Sequence, residues 1–317
     1  MITITKSMTS RRGLFALTAA ATAGVALTAC NRGGGEEGAG ERVMLAVSTQ
    51  TNPFFVQLVE GAQAEAEAQG LTLEIQDASD DSATQADQLA NAITQGVSLV
   101  IVNPTDSDAV STSVEALNNA DIPVIAVDRN ASSGELASFI ASDNVAGGTQ
   151  AAEALAAAIG EEGEVIVLQG VPGSSASRDR GQGFTEGIEQ FDGITVVAQQ
   201  TANFDRAEGL NVATNLLQAN PGVKGIFCEN DEMALGAIEA LGDRAGTDVM
   251  VVGFDGTTEG IAAVSAGTLH ATIAQQPEEL GKQSVAEAVK VLAGEDTEDE
   301  VSVEVVTVTE DNASEYE

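Results

Sequence analysis

Short runs of β-branched and other apolar residues alternate with longer, Ala-rich stretches along most of this 317-residue chain. A strand–helix–strand order favours parallel strands, because the helix carries the chain back across the sheet. The runs are almost continuously apolar, as expected when helices cover both faces of a sheet. They lie at 43–47, 71–75, 99–102, 124–127, 165–168, 223–227 and 249–252. Because one sheet would be too wide, the pattern predicts an α/β fold of two doubly wound, parallel-sheet lobes.

The net charge of −36 at pH 7 excludes one large class of function. A nucleic-acid-binding protein needs a basic surface that releases counterions from phosphates, whereas this chain has 13 Lys and Arg against 49 Asp and Glu. We therefore expect no nucleic-acid partner. The sequence also has no His and Cys cluster suited to zinc and no phosphate-binding Gly-Lys-Thr loop, so we expect no cofactor and no metal.

The first forty residues have the composition of an export signal. Arg11 and Arg12 precede an uncharged run, 14–29, which ends in small residues before Cys30. This run is shorter than the roughly 20 residues that a membrane-spanning helix needs, so it is typical of a cleaved signal peptide. Residues 27–30, Leu-Thr-Ala-Cys, resemble a bacterial lipobox, in which the Cys receives lipid. We expect a lipoprotein signal peptide over 1–30, exported by the Sec or Tat route, and a flexible tether over 31–41.

Polar side chains follow most of the predicted strands. In open parallel sheets, ligands bind beyond the carboxyl ends of the strands, where loops and helix N-termini converge. The residues at that position are Ser48 to Asn52, Asn103, Asp128, Arg129, Gln169 with the loop to Arg180, Asn230, Asp255 and Gln275. We expect several of them to meet in one ligand site.

The residue types at these positions suit a neutral polyol. Sugar hydroxyls both donate and accept, so the site needs partners of both kinds. Asp128 and Asp255 accept, Arg129 and Arg180 donate, and the amides of Asn52, Asn230 and Gln275 do both. An anionic or phosphorylated ligand would require unpaired cations, whereas here two aspartates balance two arginines.

Three phenylalanines are candidates for packing against the apolar C–H faces of a sugar ring. Phe54 and Phe55 follow Asn52-Pro53 in the loop after the first strand, where Pro can open a helix. Phe204 lies in a second polar loop, 201–205. Core packing beneath the loop is the alternative interpretation of the adjacent pair.

Five segments closely resemble the ribose-binding proteins of the type I periplasmic binding protein family. They are Ser-Thr-Gln-Thr-Asn-Pro-Phe-Phe at 48–55, Asn-Pro-Thr-Asp-Ser-Asp-Ala-Val at 103–110, Ile-Ala-Ser-Asp-Asn at 140–144, Asn-Asp-Glu-Met-Ala-Leu-Gly-Ala at 230–237 and Val-Val-Gly-Phe-Asp-Gly-Thr at 251–257. The resemblance implies that the aromatics matching Phe54, Phe55 and Phe204 sandwich the sugar ring. It implies that the hydroxyls are held by the groups matching Asn52, Asp128, Arg129, Arg180, Asn230, Asp255 and Gln275. Arg180 is assigned rather than Arg178 because it begins the family's Arg-x-x-Gly-Phe pattern.

The same resemblance implies how the domains are organised. Three crossovers should join the lobes, near Ser142, near Gln275 and near 303–305. The N-terminal lobe is then expected over 42–142 plus 276–304, and the C-terminal lobe over 143–275 plus 305–317.

The resemblance also implies a role and its partners. The chain would bind ribose between the lobes by hinge closure and deliver it to an ABC permease with a separate ATPase subunit, and in some systems to a chemotaxis receptor. We expect a monomer, in the periplasm or on the outer cell surface, held at the membrane by its lipid alone.

The sequence favours sugar binding over an enzyme or a repressor. A glycosidase would use two carboxylates such as Asp128 and Asp255, but Arg129 beside Asp128 favours an ionised acid that cannot donate a proton. A sugar-responsive repressor of similar architecture would need a DNA-binding N-terminus in place of the export signal. Another pentose, a hexose or a furanose-like signal stays open as the ligand. We expect no enzymatic activity.

Overall fold

The computed structural model describes residues 41–316, and the predicted signal peptide, Cys30 and most of the tether lie outside them. The strands are β1 (Arg42–Val47), β2 (Thr72–Asp77), β3 (Leu99–Val102), β4 (Val124–Val127), β5 (Ser138–Ser142), β6 (Gly163–Gln169), β7 (Ile194–Thr201), β8 (Val223–Cys228), β9 (Met250–Asp255), β10 (Ala271–Ala274), β11 (Glu300–Val303) and β12 (Val306–Thr309). The α-helices are α1 (Pro53–Gln69), α2 (Ser82–Gln95), α3 (Ser111–Asn119), α4 (Asn144–Ile159), α5 (Ser175–Ile188), α6 (Arg206–Ala219), α7 (Asp231–Leu241), α8 (Thr258–Ser265) and α9 (Pro277–Ala293).

The strands form two six-stranded sheets of the same design. The first has the order β2-β1-β3-β4-β5-β11, and every pair in it is parallel. The second has the order β7-β6-β8-β9-β10-β12, in which only β12 is antiparallel to its neighbour. Strand order reverses beside β1 and beside β6, which is the switch point where doubly wound sheets bind ligands. The predicted α/β fold of two doubly wound lobes is confirmed.

Strand β1 illustrates how the sequence builds a sheet buried on both sides. Val43, Leu45 and Val47 pack with helices α1 and α9 on one face. Met44 and Ala46 pack with α2 and α3 on the other. Successive side chains of a strand point to opposite faces, so a continuously apolar run is stable only when helices cover both. Each fully buried aliphatic side chain contributes about 1.5–3 kcal/mol relative to exposure.

The second sheet repeats this arrangement around β6. Val165 and Val167 pack with α4 and α5. Ile166 and Leu168 pack with α6, α7 and α8 on the opposite face. The two sheets therefore have separate cores.

The chain passes from one sheet to the other three times. It leaves the first sheet after β5, returns after β10, where α9 packs against α1, and leaves again between β11 and β12. We call the first sheet with α1–α3 and α9 the N-terminal lobe, and the second sheet with α4–α8 the C-terminal lobe. The exact residues at which one lobe gives way to the other stay a prediction.

Phe54 and Phe55 lie in the first turns of α1, because Asn52 caps this helix and Pro53 opens it, as the sequence predicts. One local prediction needs correction: Arg180 lies within α5 rather than in the loop after β6. Among residues 41–316, no helix is long and apolar enough to cross a membrane.

Candidate functional site

A cavity of about 250 Å³ lies between the two lobes. All ten residues that the sequence predicts as ligand-binding line this cavity, five from each lobe. From the N-terminal lobe they are Asn52, Phe54, Phe55, Asp128 and Arg129, and from the C-terminal lobe Arg180, Phe204, Asn230, Asp255 and Gln275. Ala176, at the start of α5, also lines the cavity and was not predicted. Its small side chain offers no polar atom by which the sequence could have identified it.

The start of α1 orients the first group of site residues. The side chain of Asn52 caps the helix, because its Oδ1 accepts a hydrogen bond from the Phe54 amide at 2.9 Å. The rings of Phe54 and Phe55 are then fixed edge to face, with centroids 5.1 Å apart. This arrangement holds two apolar ring surfaces beside the polar groups of the cavity.

Asp128 follows β4 and is anchored through one of its two carboxylate oxygens. Oδ2 accepts a hydrogen bond from Asn103 Nδ2 at 3.0 Å, and Arg129 Nε lies 3.6 Å from the same oxygen. Oδ1 has no hydrogen-bond partner among the described residues. Asn103 also accepts from the Ser48 amide, so it fixes Asp128 to the end of β1. The sequence marked Asn103 as a strand-end residue but did not assign it this positioning role.

The Arg129 guanidinium lies at the boundary of the two lobes. It stands over the Phe55 ring of its own lobe at 5.2 Å and over the Phe204 ring of the other lobe at 5.5 Å. Its Nη1 donates to the carbonyl of Pro104 at 3.1 Å. Cation–π contacts of this kind strengthen when water is excluded, so they favour the closed arrangement of the lobes.

Arg180 is held by hydrogen bonds, an ion pair and ring contacts within the C-terminal lobe. Its Nε donates to Asn144 Oδ1 at 2.8 Å, and its Nη1 donates to the Glu229 carbonyl at 2.7 Å. It forms an ion pair with Asp255 at 3.5 Å and lies 3.8 Å above the Phe254 ring. Arg178, two residues earlier, is exposed and donates to a loop carbonyl instead.

Two amides complete the C-terminal half of the site. Asn230 caps α7 through Oδ1, and its Nδ2 donates to the carbonyl of Phe204 at 3.2 Å. Gln275 Nε2 donates to Asp255 Oδ1 at 2.7 Å, which leaves Gln275 Oε1 without a partner among the described residues. Asn230 therefore uses both ends of its amide to position neighbouring groups, whereas Gln275 uses one.

Three of the site residues have an unfavourable backbone conformation. The φ angles are 63° at Asp128, 60° at Phe204 and 121° at Asp255. Positive φ in a residue other than Gly costs about 1–3 kcal/mol and persists only where surrounding contacts enforce it. Gly170 makes room for the side chain of Phe204, because the phenyl ring occupies the space that a Cβ at position 170 would need.

The electrostatics of the cavity match a ligand with many hydroxyl groups. Burial raises the pKa of Asp128 and of Asp255, although the nearby arginines Arg129 and Arg180 oppose the shift. Burial likewise lowers the pKa of Arg129. An unpaired buried polar atom costs about 1–3 kcal/mol. Three residues that line this cavity each have one buried atom without a hydrogen-bond partner among the described residues: Asp128 Oδ1, Gln275 Oε1 and Arg129 Nε, which keeps its ion pair with Asp128. Two acceptors and one donor suit neutral hydroxyls better than an anion.

Direct contacts between the lobes close the cavity. The Ser107 amide donates to the Gly173 carbonyl at 3.0 Å, and the Asn130 amide donates to Ser175 Oγ at 2.8 Å. Asp106 packs so tightly against Gly173 that a side chain at position 173 would collide with its carboxylate. The structure therefore represents a closed form.

Glu229 is a buried residue behind the site that the sequence did not single out. Its Oε2 accepts hydrogen bonds from the Gly170 amide at 2.7 Å and from the Ser177 hydroxyl, while Oε1 has no partner among the described residues. Glu229 directly follows β8, and its hydrogen bonds link this strand to Gly170, beneath the Phe204 ring, and to α5, the helix that carries Arg180. Burial raises its pKa to about 7, although the two hydrogen bonds and Arg180 oppose the shift.

This raised pKa predicts that the apo-protein becomes less stable as the pH rises from about 4.5 to 7. The folded protein retains a proton that the unfolded chain releases near the ordinary value of 4.5, and the loss amounts to a few kcal/mol over that window. Asp231, with its pKa raised by burial to about 6, acts in the same direction. Thermal melts should give a lower melting temperature at pH 8 than at pH 5.5.

The Glu229→Gln variant should show a shallower pH dependence, because the titrating group is gone. Glu239→Gln, an exposed residue on α7, is the matched control and should melt like the wild type at every pH. Identical slopes for wild type and Glu229→Gln would contradict the assignment.

The chain is similar to known proteins over most of its length. Residues 43–296 match the family model described as a periplasmic binding protein domain. The chain is 47% identical over 268 residues to the ribose import binding protein RbsB of Escherichia coli (strain K12), which covers 84% of this chain and 90% of that protein. It is 44% identical over 258 residues to the protein of the same name from Bacillus subtilis (strain 168), covering 81% and 84%.

Solved structures of other proteins have a similar fold. A periplasmic solute-binding protein from Actinobacillus succinogenes 130z with bound D-allose has a TM-score of 0.82 and 31% identity, covering 87% of this chain and 100% of that one. The Caulobacter myo-inositol binding protein, bound to myo-inositol, has a TM-score of 0.82 and 32% identity, covering 86% and 95%. The predicted resemblance is thus confirmed, and the chain belongs to the periplasmic binding protein family.

Proposed function

We propose that this chain is the extracytoplasmic substrate-binding component of a sugar ABC importer and that it binds D-ribose between its lobes. The observation that carries the proposal is the cavity itself, to which each lobe contributes five of the ten polar and aromatic residues. The relatives of 44–47% identity are named ribose import binding proteins.

The lining of the cavity supports a single small sugar, because aromatic rings and hydrogen-bonding groups from both lobes surround the same space. In this proposal the ring packs between Phe54, Phe55 and Phe204. Its hydroxyls bind the seven polar residues: Asn52, Asp128, Arg129, Arg180, Asn230, Asp255 and Gln275.

A second candidate keeps the mechanism and changes the sugar. Structures similar to this one hold D-allose and myo-inositol, and a relative of 31% identity is named a xylitol-binding protein. Another pentose, a hexose or a furanose-like signalling molecule therefore competes with ribose. One altered contact around the cavity is enough to change which of these binds best.

Hinge closure is the mechanism that we propose. A ligand that contacts both lobes binds the closed form better than the open form, so it shifts the population toward closure. The three connections between the sheets are the hinge. The closed monomer would dock on a permease that works with a separate ATPase, and in some systems on a chemotaxis receptor. We propose binding without catalysis, as the names of the ribose import binding relatives indicate.

A thermal-shift screen of the chain from residue 42 onward would test the proposal. Ribose, other pentoses, hexoses and ribonucleosides would be added separately, because a ligand that binds only the folded state raises the melting temperature. A large shift with ribose alone supports the ribose assignment. A larger shift with another sugar supports the second candidate, and no shift with any sugar contradicts both.

We further propose that Cys30 is lipidated and holds the protein at the membrane. Cys30→Ser should release the protein into the soluble fraction, because this lipid is the anchor that the sequence indicates. Cys228→Ser is the control: this buried thiol lies within β8 and should not affect localisation. Cell fractionation is the measurement, and a Cys30→Ser protein that stays in the membrane fraction would contradict the anchor.

A further inference from the structure

A second, outer cavity of about 330 Å³ adjoins the proposed sugar site. The two cavities share four lining residues: Asn52, Phe55, Arg129 and Phe204. The outer cavity adds two carboxylates, Asp80 from the N-terminal lobe and Asp205 from the C-terminal lobe. We call Asp80 and Asp205 the acidic pair. Closing the lobes brings both members to one cavity.

Local structure fixes both members of the acidic pair. Asp80 lies in the turn between β2 and α2 with φ of 59°, and its amide donates to the Ser48 carbonyl at 2.7 Å. Asp205 caps α6, because its Oδ1 accepts a hydrogen bond from the Glu208 amide at 2.8 Å. Neither backbone segment can turn away from the cavity without losing these bonds.

The surroundings of Asp80 favour its uncharged form. Asp80 keeps an exposed surface, yet partial burial of its carboxylate raises its pKa. Arg129 and the Thr49 hydroxyl oppose the shift, whereas Asp77 and Asp205 add to it. The positive charge of Arg129 also compensates the negative charge of Asp128. One cation is therefore shared between two carboxylates of the N-terminal lobe, Asp80 and Asp128. Of these groups only Asp205 belongs to the other lobe, so its repulsion acts when the lobes are closed.

We propose that the acidic pair opposes closure of the lobes, so that sugar affinity rises when the medium becomes more acidic or more saline. The inference rests on the proposed function, because sugar binding reports closure. Closure brings two negative charges together and favours proton uptake; by linkage, a lower pH then favours the closed form. Dissolved ions screen the same repulsion, because the pair is open to solvent.

Isothermal titration calorimetry with the sugar identified by the screen would test this. Wild-type affinity should rise about threefold between 10 mM and 500 mM NaCl at pH 8, the scale of a solvent-exposed charge pair. It should also rise as the pH is lowered from 7 toward the ordinary aspartate value of 3.8, because the pKa of Asp80 is raised above that value. Asp205→Asn should bind about threefold more tightly than the wild type at pH 8 in low salt, with a weaker dependence on pH and salt.

The variants are chosen to leave the fold intact. Asn caps a helix as well as Asp does, so Asp205→Asn keeps the start of α6. Asp80→Asn keeps a residue that tolerates positive φ and should behave like Asp205→Asn. Asp81→Asn is the matched control: it removes one charge from an exposed helix cap beside the cavity, but it does not line the cavity.

Glu229 and the other buried groups titrate in all of these proteins. Their contribution to the pH dependence of sugar affinity therefore cancels when the variants are compared. Asp205→Asn with the same affinity and the same pH and salt dependence as Asp81→Asn would overturn the inference while leaving the proposed function intact. Absence of sugar binding by the wild type in every condition would overturn both.

Discussion

Asp128→Ala is expected to bind ribose at least about 100-fold more weakly than the wild type, a loss of about 3 kcal/mol or more. The substitution removes Oδ1, the oxygen left for the ligand, together with the oxygen that Asn103 holds. It also removes the carboxylate beside Arg129 and leaves a buried guanidinium with less compensation. Calorimetric titration with ribose measures the effect.

The Asp128→Asn variant distinguishes the effect of backbone strain on affinity from the effect of losing the carboxylate. Asp128 has a φ of 63°, which Asn tolerates better than Ala does, so part of the alanine effect could come from strain. Asn keeps the shape and the hydrogen bond to Asn103 but loses the charge, and its affinity should lie between those of the wild type and Asp128→Ala. If Asp128→Ala bound ribose with the affinity of the wild type, the assignment of Asp128 to the binding site would be wrong.

Arg180→Lys is expected to weaken ribose binding by about 100-fold although the charge is kept, on the scale of about 3 kcal/mol. The guanidinium makes two directed hydrogen bonds and stacks on Phe254 at 3.8 Å. A lysine ammonium cannot reproduce that planar fork, so Asp255 would lose a positioned partner. Titration calorimetry again gives the affinity, and a thermal melt reports any loss of stability.

Arg178→Lys is the matched control for this prediction. It lies on the same helix, is exposed, and donates only to the Gly173 carbonyl among the contacts that the structure describes. Its affinity for ribose should equal that of the wild type. A stronger effect at Arg178 than at Arg180 would contradict the assignment of the site.

Much of the fold follows from local patterns in the sequence. The apolar runs at 43–47 and 165–168 predict strands covered on both faces, and each strand indeed divides its side chains between two cores. The polar residues after those strands could be found because parallel strands end at one edge of their sheet. The choice of ten residues relied on the family resemblance, since no local pattern states which residues of two lobes meet.

The error at Arg180 has a physical origin. The sequence favours a loop there, because α5 contains three glycines and two serines, which weaken the helical pattern. Tertiary packing supplies the missing stability: the helix packs closely on α4, where Gly148 and Gly183 let the two backbones approach. Packing between helices thus overrides a weak intrinsic propensity.

The sequence by itself determined the two-lobed α/β class, the strands and their polar ends, because these depend on the periodicity of neighbouring residues. Only the tertiary structure decided that Asn103 holds Asp128, that Glu229 holds Ser177, and that Asp80 and Asp205 share a cavity. The first two pairs are 25 and 52 residues apart in the chain, and the third spans the two lobes. Such contacts depend on strand order, helix packing and closure of the lobes, which no short segment of sequence encodes.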